Sequence, residues 1–346
     1  MTRGALAASL ALSAALSAAL AAGCVEPDFE PATRVSRPRV LAIVADRPEV
    51  APGEEARLSP VIGGAEGRAV ELRWSMCPSA DALMGTGFVG AGAFGVGGAE
   101  QFGGAVVDPG CEPGGVLTTA LAVEGGEAIV PGECADPAAP WACTRGIAAL
   151  VDALAASSGA PPELAALLVD EIGVPITVSV ELLVDGVLAE RAFKRVAVTR
   201  RAALGANPPA PRFAIGDVWM SARAGDPRDC VPERGERPVV SGLAEVHLRP
   251  DPDDGAWLET FPVVALDGAL VEGRENAYYA WYSTAGDFDP AISLAPVRDT
   301  VWLSPEVPGT YALWLVVRDG HLGASACRAE VDVIDVVPPY TGIARR

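Results

Sequence analysis

A chain of 346 residues is long enough for two domains that each bury a core. Its 26 basic residues, all arginine except Lys194, are outnumbered by 45 acidic ones, for a net charge of −19. A surface this acidic repels phosphate backbones and anionic lipid, which argues against nucleic acid as a partner.

At the N-terminus, Arg3 precedes an uncharged Ala/Leu-rich run from Gly4 to Gly23 that ends in "LAAGC". A short basic start, an apolar run and then small residues describe a secretory signal peptide over residues 1–23. The run is long enough for a membrane-spanning helix. Alanine inserts weakly, however, and no basic stop-transfer cluster follows, which favours the signal. Cys24 after small residues resembles the lipobox of bacterial lipoproteins, with Ala21 where that family more often has Leu. The resemblance implies that Cys24 is acylated and becomes the mature N-terminus, tying the chain to a membrane through lipid. Val25 in place of an Asp implies the outer membrane, on its periplasmic face or at the cell surface. Residues 24–37 are polar and Pro-bearing, as a tether would be.

Beyond Cys24 there are six cysteines, and an even number in an exported chain reads as three disulfides. There is no C-x-x-C, and His247 and His321 are the only histidines, so no zinc site is expected.

The first domain, 38–203, opens with "PRVLAIVADRPEVAPGEEARLSPVI", two strand-like runs joined by Pro/Gly turn chemistry. "AVELRWSMC" places Trp74 in a third strand. An insertion over about 78–173 follows, holding a Gly-rich run and two short helical patterns. The first pattern is Ile147, Leu150, Val151 and Leu154, and the second Leu164, Leu167, Leu168 and Ile172; together they suggest a small lid packed on the sheet. The domain closes with "ITVSVELLVDGVLAERAFKRVAVT", where Asp185-Gly186 between apolar alternations signals a hairpin. "LGANPPAP" marks a linker at 204–212, a second domain runs over 213–337, and 338–346 is a tail. The second domain repeats the first: Trp281 of "AWYS" answers Trp74 of "RWS", and Asp319-Gly320 falls where Asp185-Gly186 does.

At these residues the chain resembles bacterial immunoglobulin-like and PKD-type β-sandwich domains, most closely in "PGTYALWLVVRDG" at 308–320. The resemblance implies a mainly β protein with two immunoglobulin-like sandwiches in tandem, the first carrying the Gly-rich and helical insertion. Within the motif Tyr311, Leu313, Leu315 and Val317 alternate as a half-buried strand requires. Tyr311 also sits where such sandwiches place a corner tyrosine whose hydroxyl bonds back to the backbone. Cys230–Cys327 is the simplest pairing in the second domain and would contribute about 4–5 kcal/mol by the loop-entropy model. Cys77, Cys111, Cys134 and Cys143 allow three connectivities. Cys77–Cys111 with Cys134–Cys143 closes each loop near its own position.

Little in the sequence points to chemistry. Gly85, Gly87 and Gly90 form a G-x-G-x-x-G, but "CPSADALM" rather than a strand stands directly before them and the following glycines cannot open a helix, so no nucleotide or other cofactor is expected. Asp251, Asp253 and Asp254 in one turn, and Asp287 with Asp289, are weak candidates for Ca²⁺. No nucleophile motif occurs, although so acidic a chain always offers carboxylate pairs that an exported hydrolase could use. In "NAYYAWY" at 276–282, Tyr279 and Trp281 are expected in the core, and Tyr278 and Tyr282 on the sheet's other face, where rings could bind a glycan or protein. The expectation is therefore a non-catalytic, lipid-anchored envelope protein acting as scaffold, spacer or adhesion module.

Overall fold

The computed structural model describes residues 32–51, 54–77, 119–120, 122–124, 126–131, 162–251, 256–264 and 269–335. The chain is mainly β, and Ala32–Arg346 form one compact unit holding two immunoglobulin-like sandwiches.

The first sandwich contains β1 (Arg39–Ala45), β2 (Glu49–Val50), β3 (Glu55–Gly63), β4 (Val70–Cys77), β5 (Thr119–Ala120), β6 (Ala122–Glu124), β7 (Glu127–Pro131), the helix α1 (Pro162–Ile172), β8 (Val174–Val184) and β9 (Val187–Val198). One sheet runs β1-β3-β7-β6 and the facing sheet β2-β9-β8-β4-β5. The chain crosses between the sheets at Asp46–Pro48, so that β2 pairs parallel with β9, the first-strand switch of an immunoglobulin-like fold. Alternation drives the packing: β3 presents Ala56 and Leu58 to the core between exposed Glu55 and Arg57. Trp74, Val178, Val180, Leu182 and Val196 fill the space between the sheets. The Asp185-Gly186 turn takes φ of 52° and 80°, the left-handed pair that a two-residue hairpin demands.

Three local findings refine the sequence reading here. Thr119–Pro131, expected inside the insertion, instead supplies sandwich strands: β7 pairs with β3, and Trp74 Nε1 donates to Gly126 O at 3.3 Å. Ala128 and Val130 alternate with their neighbours as core residues do, a run too short to stand out beside its Gly-rich surroundings. Of the two helical patterns, α1 forms, begun by Pro162 in the first turn and ended by Gly173 at φ 85°. Leu167 is exposed, so the apolar face is not packed along its whole length. The 147–154 pattern and the Gly-rich run with Gly85, Gly87 and Gly90 lie outside the described residues.

The second sandwich contains β10 (Phe213–Ile215), β11 (Val218–Arg223), β12 (Asp226–Pro232), β13 (Val239–Ser241), β14 (Glu245–Pro250), β15 (Thr260–Val264), β16 (Leu270–Arg274), β17 (Tyr278–Ser283), β18 (Asp287–Asp289), β19 (Ile292–Leu294), β20 (Thr300–Leu303), β21 (Gly309–Arg318) and β22 (Ala324–Ile334). One layer is β10-β14-β20-β18 and the other β22-β21-β17-β19, with β13 parallel to β22. The hairpin β11–β12 bridges the layers by pairing with β10 on one side and β22 on the other. Phe213 meets Trp281 edge-on at 5.5 Å in a core that also holds Trp302, Leu313 and Leu315. Cys230 and Cys327 are disulfide-bonded within that core. Tyr311 Oη donates to Val307 O at 2.7 Å, the tyrosine corner that the motif implies.

Candidate functional site

Two extended segments meet where the sandwiches touch, one apolar and one polar. In β17 and β21 successive residues point to opposite faces, yet nearly all are apolar. Tyr279, Trp281, Leu313 and Leu315 face the core, whereas Ala280, Tyr282, Ala312, Trp314 and Val316 face outward. That outer face is covered by Leu41 and Ala42 of β1, Val61 of β3 and Val35 just ahead of β1. Trp314 is left 1% exposed and Tyr282 8%. The end of the presumed tether takes part: Val35 N donates to Ser283 O at 2.8 Å and Ser283 N to Thr33 O at 3.0 Å. Residues 33–35 therefore belong to the body, not to a free leash.

The presumed linker is also built in. Asn207 donates its amide to Ala45 O and Asp46 O at 2.7 and 3.1 Å, and its side-chain oxygen accepts Ala324 N–H at 3.1 Å. One side chain thus binds both sandwiches. Gly and Pro here end one sheet and begin the next, and the freed backbone groups are satisfied by neighbours.

Around this segment lies a cluster of buried charge. Glu49 on β2, 1% exposed, accepts from Arg201 and from Gly205 N at 2.6 Å. Glu259, just before β15, accepts Ala206 N–H at 3.0 Å, and Glu275, just after β16, accepts Glu259 N–H at 2.8 Å. Asp319, in the β21–β22 turn, accepts His321 N–H at 2.7 Å on Oδ1, while Oδ2 is buried without a hydrogen-bond partner. Gly323 leaves room for that carboxylate, since a Cβ there would collide with Oδ2. Lys194 stands on the core face of β9 opposite Val178, and its buried stem carries the ammonium across to Leu322 O of the second sandwich. His321 stacks on Phe261 with ring centroids 3.9 Å apart.

Burial dominates the electrostatics. It pushes the Glu275 carboxyl up to about 7, helped by the negative charges of Asp319, Glu259 and Glu49 against the Glu259 N–H. It pushes Asp319 up to about 6, against the His321 N–H and the charge of Lys194. It lowers His321 to about 4, with Arg201 and Lys194 acting in the same direction, so the ring is neutral near pH 7. These groups sit under the seam between the sandwiches.

In the sequence Lys194, Asp319 and His321 stood out only as the single lysine, a turn residue and one of two histidines, and Glu49, Arg201, Glu259 and Glu275 not at all, because each reads alone as ordinary surface charge. The available signal was the apolar character of both faces of "YYAWY" and "ALWLVV", which marks a sheet covered on both sides.

The expected site residues fall elsewhere. Tyr282 is buried in the seam and Tyr278 is half-buried near Gly320, so the exposed pair of rings considered for glycan or protein binding is not formed. Sandwich-on-sandwich packing took the face that a ligand would have needed. Asp251 accepts from Arg212 at 2.9 Å and Asp287 from Arg34 at 2.7 Å; Asp289 is exposed on β18. Among the described residues no group of three or more His, Cys, Asp or Glu could hold a metal ion. Asp253, Asp254, Cys24, Cys111, Cys134, Cys143 and the side chain of Cys77 lie outside the described residues. No helix among the described residues is long and apolar enough to cross a membrane.

No family model matches the chain, and no curated protein matches it. Among solved structures, the D0-D1 domains of intimin are 9% identical, with 85% of this chain and 98% of that chain covered at a TM-score of 0.19. The native α2-macroglobulin of E. coli is 11% identical, with 89% of this chain and 16% of that chain covered at 0.23. Immunoglobulin domains 1–4 of Sidekick-1 are 11% identical, with 89% and 51% covered at 0.20. Likenesses this loose carry no argument; the strand order and the two buried cores establish the immunoglobulin-like fold.

Proposed function

We propose that this chain is an exported, lipid-anchored envelope protein of the outer membrane, whose body serves as a non-catalytic scaffold, spacer or adhesion module. The observation that carries the reading is the fusion of two sandwiches along an apolar seam into one unit, with the largest aromatic faces spent inside it. Such a body offers partners its edges and loops. The arrangement of Arg3, the apolar run and "LAAGC" supports export and acylation at Cys24.

Cys24→Ser tests the anchor. The variant is expected to lose palmitate labelling and to leave the membrane fraction while keeping the parent's circular dichroism; retained labelling overturns it. The scaffold role calls for crosslinking in intact envelopes. Photoreactive or carboxyl-directed reagents are needed, because the single lysine, Lys194, is buried. Recovery of a discrete envelope partner is expected, and the absence of any crosslinked species at saturating reagent counts against the role.

A further inference from the structure

We propose that the seam between the two sandwiches is a proton-operated latch: protonation of the buried carboxyls of Glu275 and Asp319 holds the sandwiches together, and deprotonation loosens them.

The charge count at the seam is the starting point. Glu49 faces it from β2, Lys194 from β9, Arg201 from the segment after β9, Glu259 from before β15, and Glu275 from after β16. Asp319 and His321 face it from the β21–β22 turn. The 205–207 segment contributes backbone N–H groups and the Asn207 amide, none ionisable. Asp170 of α1 is taken up by Arg200, and Arg318 is directed to Leu41 O on the apolar side. Four carboxyls thus share three cations, Lys194 and Arg201 beside them and Arg318 on the apolar side, and the stacked His321 ring adds no charge. With every carboxyl ionised, the seam holds excess negative charge in a poorly hydrated place, which favours separation.

The direction follows from linkage. Glu275 and Asp319 bind protons more tightly in the closed seam, at about 7 and about 6, than solvated carboxyls do at 4.5 and 3.8, and opening the seam moves them toward those ordinary values. Acid therefore favours closure, and the gain is lost as pH rises through 6–7. His321 opposes this, since its closed value of about 4 lies below its open 6.5 and opening takes up a proton between them. Two carboxyls outweigh one imidazole. The open fraction is expected to rise on the order of tenfold from pH 5.5 to pH 8.

Lys194 is a built-in reporter, because its amine reacts only when its bond to Leu322 O is released. The full chain is acetylated with an N-hydroxysuccinimide ester at several pH values, and Lys194 modification is quantified by peptide mass spectrometry. Division by the rate of a free lysine amide removes the reagent's own pH dependence. The normalised rate should climb about tenfold from pH 5.5 to 8 with an unchanged far-UV spectrum. In Glu275→Gln the rise should vanish or invert, leaving Asp319 against His321; in His321→Gln it should steepen to about a hundredfold. A flat wild-type profile, or a tenfold rise retained in Glu275→Gln, overturns the latch. If Glu275→Gln does not fold, the wild-type profile and His321→Gln decide.

Discussion

The two sandwiches share one plan and differ on one face. In the first, the outer side of β4, β8 and β9 is polar: the Ser75 and Ser179 hydroxyls lie 2.6 Å apart, Arg73 pairs with Glu71 at 2.7 Å, and Arg191 with Glu181 at 2.5 Å. In the second, the corresponding side of β17 and β21 carries Tyr282, Trp314 and Val316, and the first sandwich lies on it. Both copies keep a buried tryptophan on the matching strand, Trp74 and Trp281. The core thus specifies the sandwich, and the outer face specifies whether anything docks on it. A sheet apolar on both sides can be stable only under cover.

Four changes would break or sharpen that contrast. The largest effect is expected from Cys230→Ala with Cys327→Ala, which frees a loop of 97 residues and should cost about 4–5 kcal/mol in urea unfolding. A single shared transition in that variant would show that the seam couples both sandwiches; two separated transitions would show that it does not. Trp314→Ala empties the seam and should cost about 3–5 kcal/mol, with Lys194 acylation rising in parallel. A loss below about 1 kcal/mol would mean that the outer face contributes little. Tyr311→Phe removes the corner hydrogen bond without opening a cavity, and a shift of about 1 kcal/mol is expected. Glu181→Ala is the counterpart of Trp314→Ala on the polar outer face of the first sandwich. Its partly exposed ion pair should matter by no more than about 0.5 kcal/mol.

Much of the architecture was legible in the residues. Alternation in "EARLSPVI", the Asp185-Gly186 turn, the matched Trp74 and Trp281, and the Tyr311 motif each report a local rule of strand or turn, and each is met. The Cys230–Cys327 pairing followed from the second domain having only those two cysteines. The polar seam was not legible. Glu49, Lys194, Glu275 and Asp319 are brought together across 270 residues of sequence by two sandwiches docking, and of these only Lys194, a charge on the core face of β9, interrupts a pattern. How the 204–212 linker is held was hidden for a related reason. Gly and Pro mark where regular pairing stops, whether the chain then dangles or is gripped, and Asn207 shows it gripped. Short β6 and β7 were hidden because strands of 3 and 5 residues carry too few alternations to be read beside a glycine-rich run.

The stitching of Thr33 and Val35 to Ser283 sets a geometric limit on the proposed anchor. From Cys24 to Thr33 the chain has nine residue steps, so even fully extended it reaches only about 30 Å. That is roughly the thickness of one bilayer's hydrocarbon core. With lipid at Cys24, the point where the chain enters the seam is held within that height of the membrane surface. A partner that binds at this entry point would then be met close to the lipid headgroups.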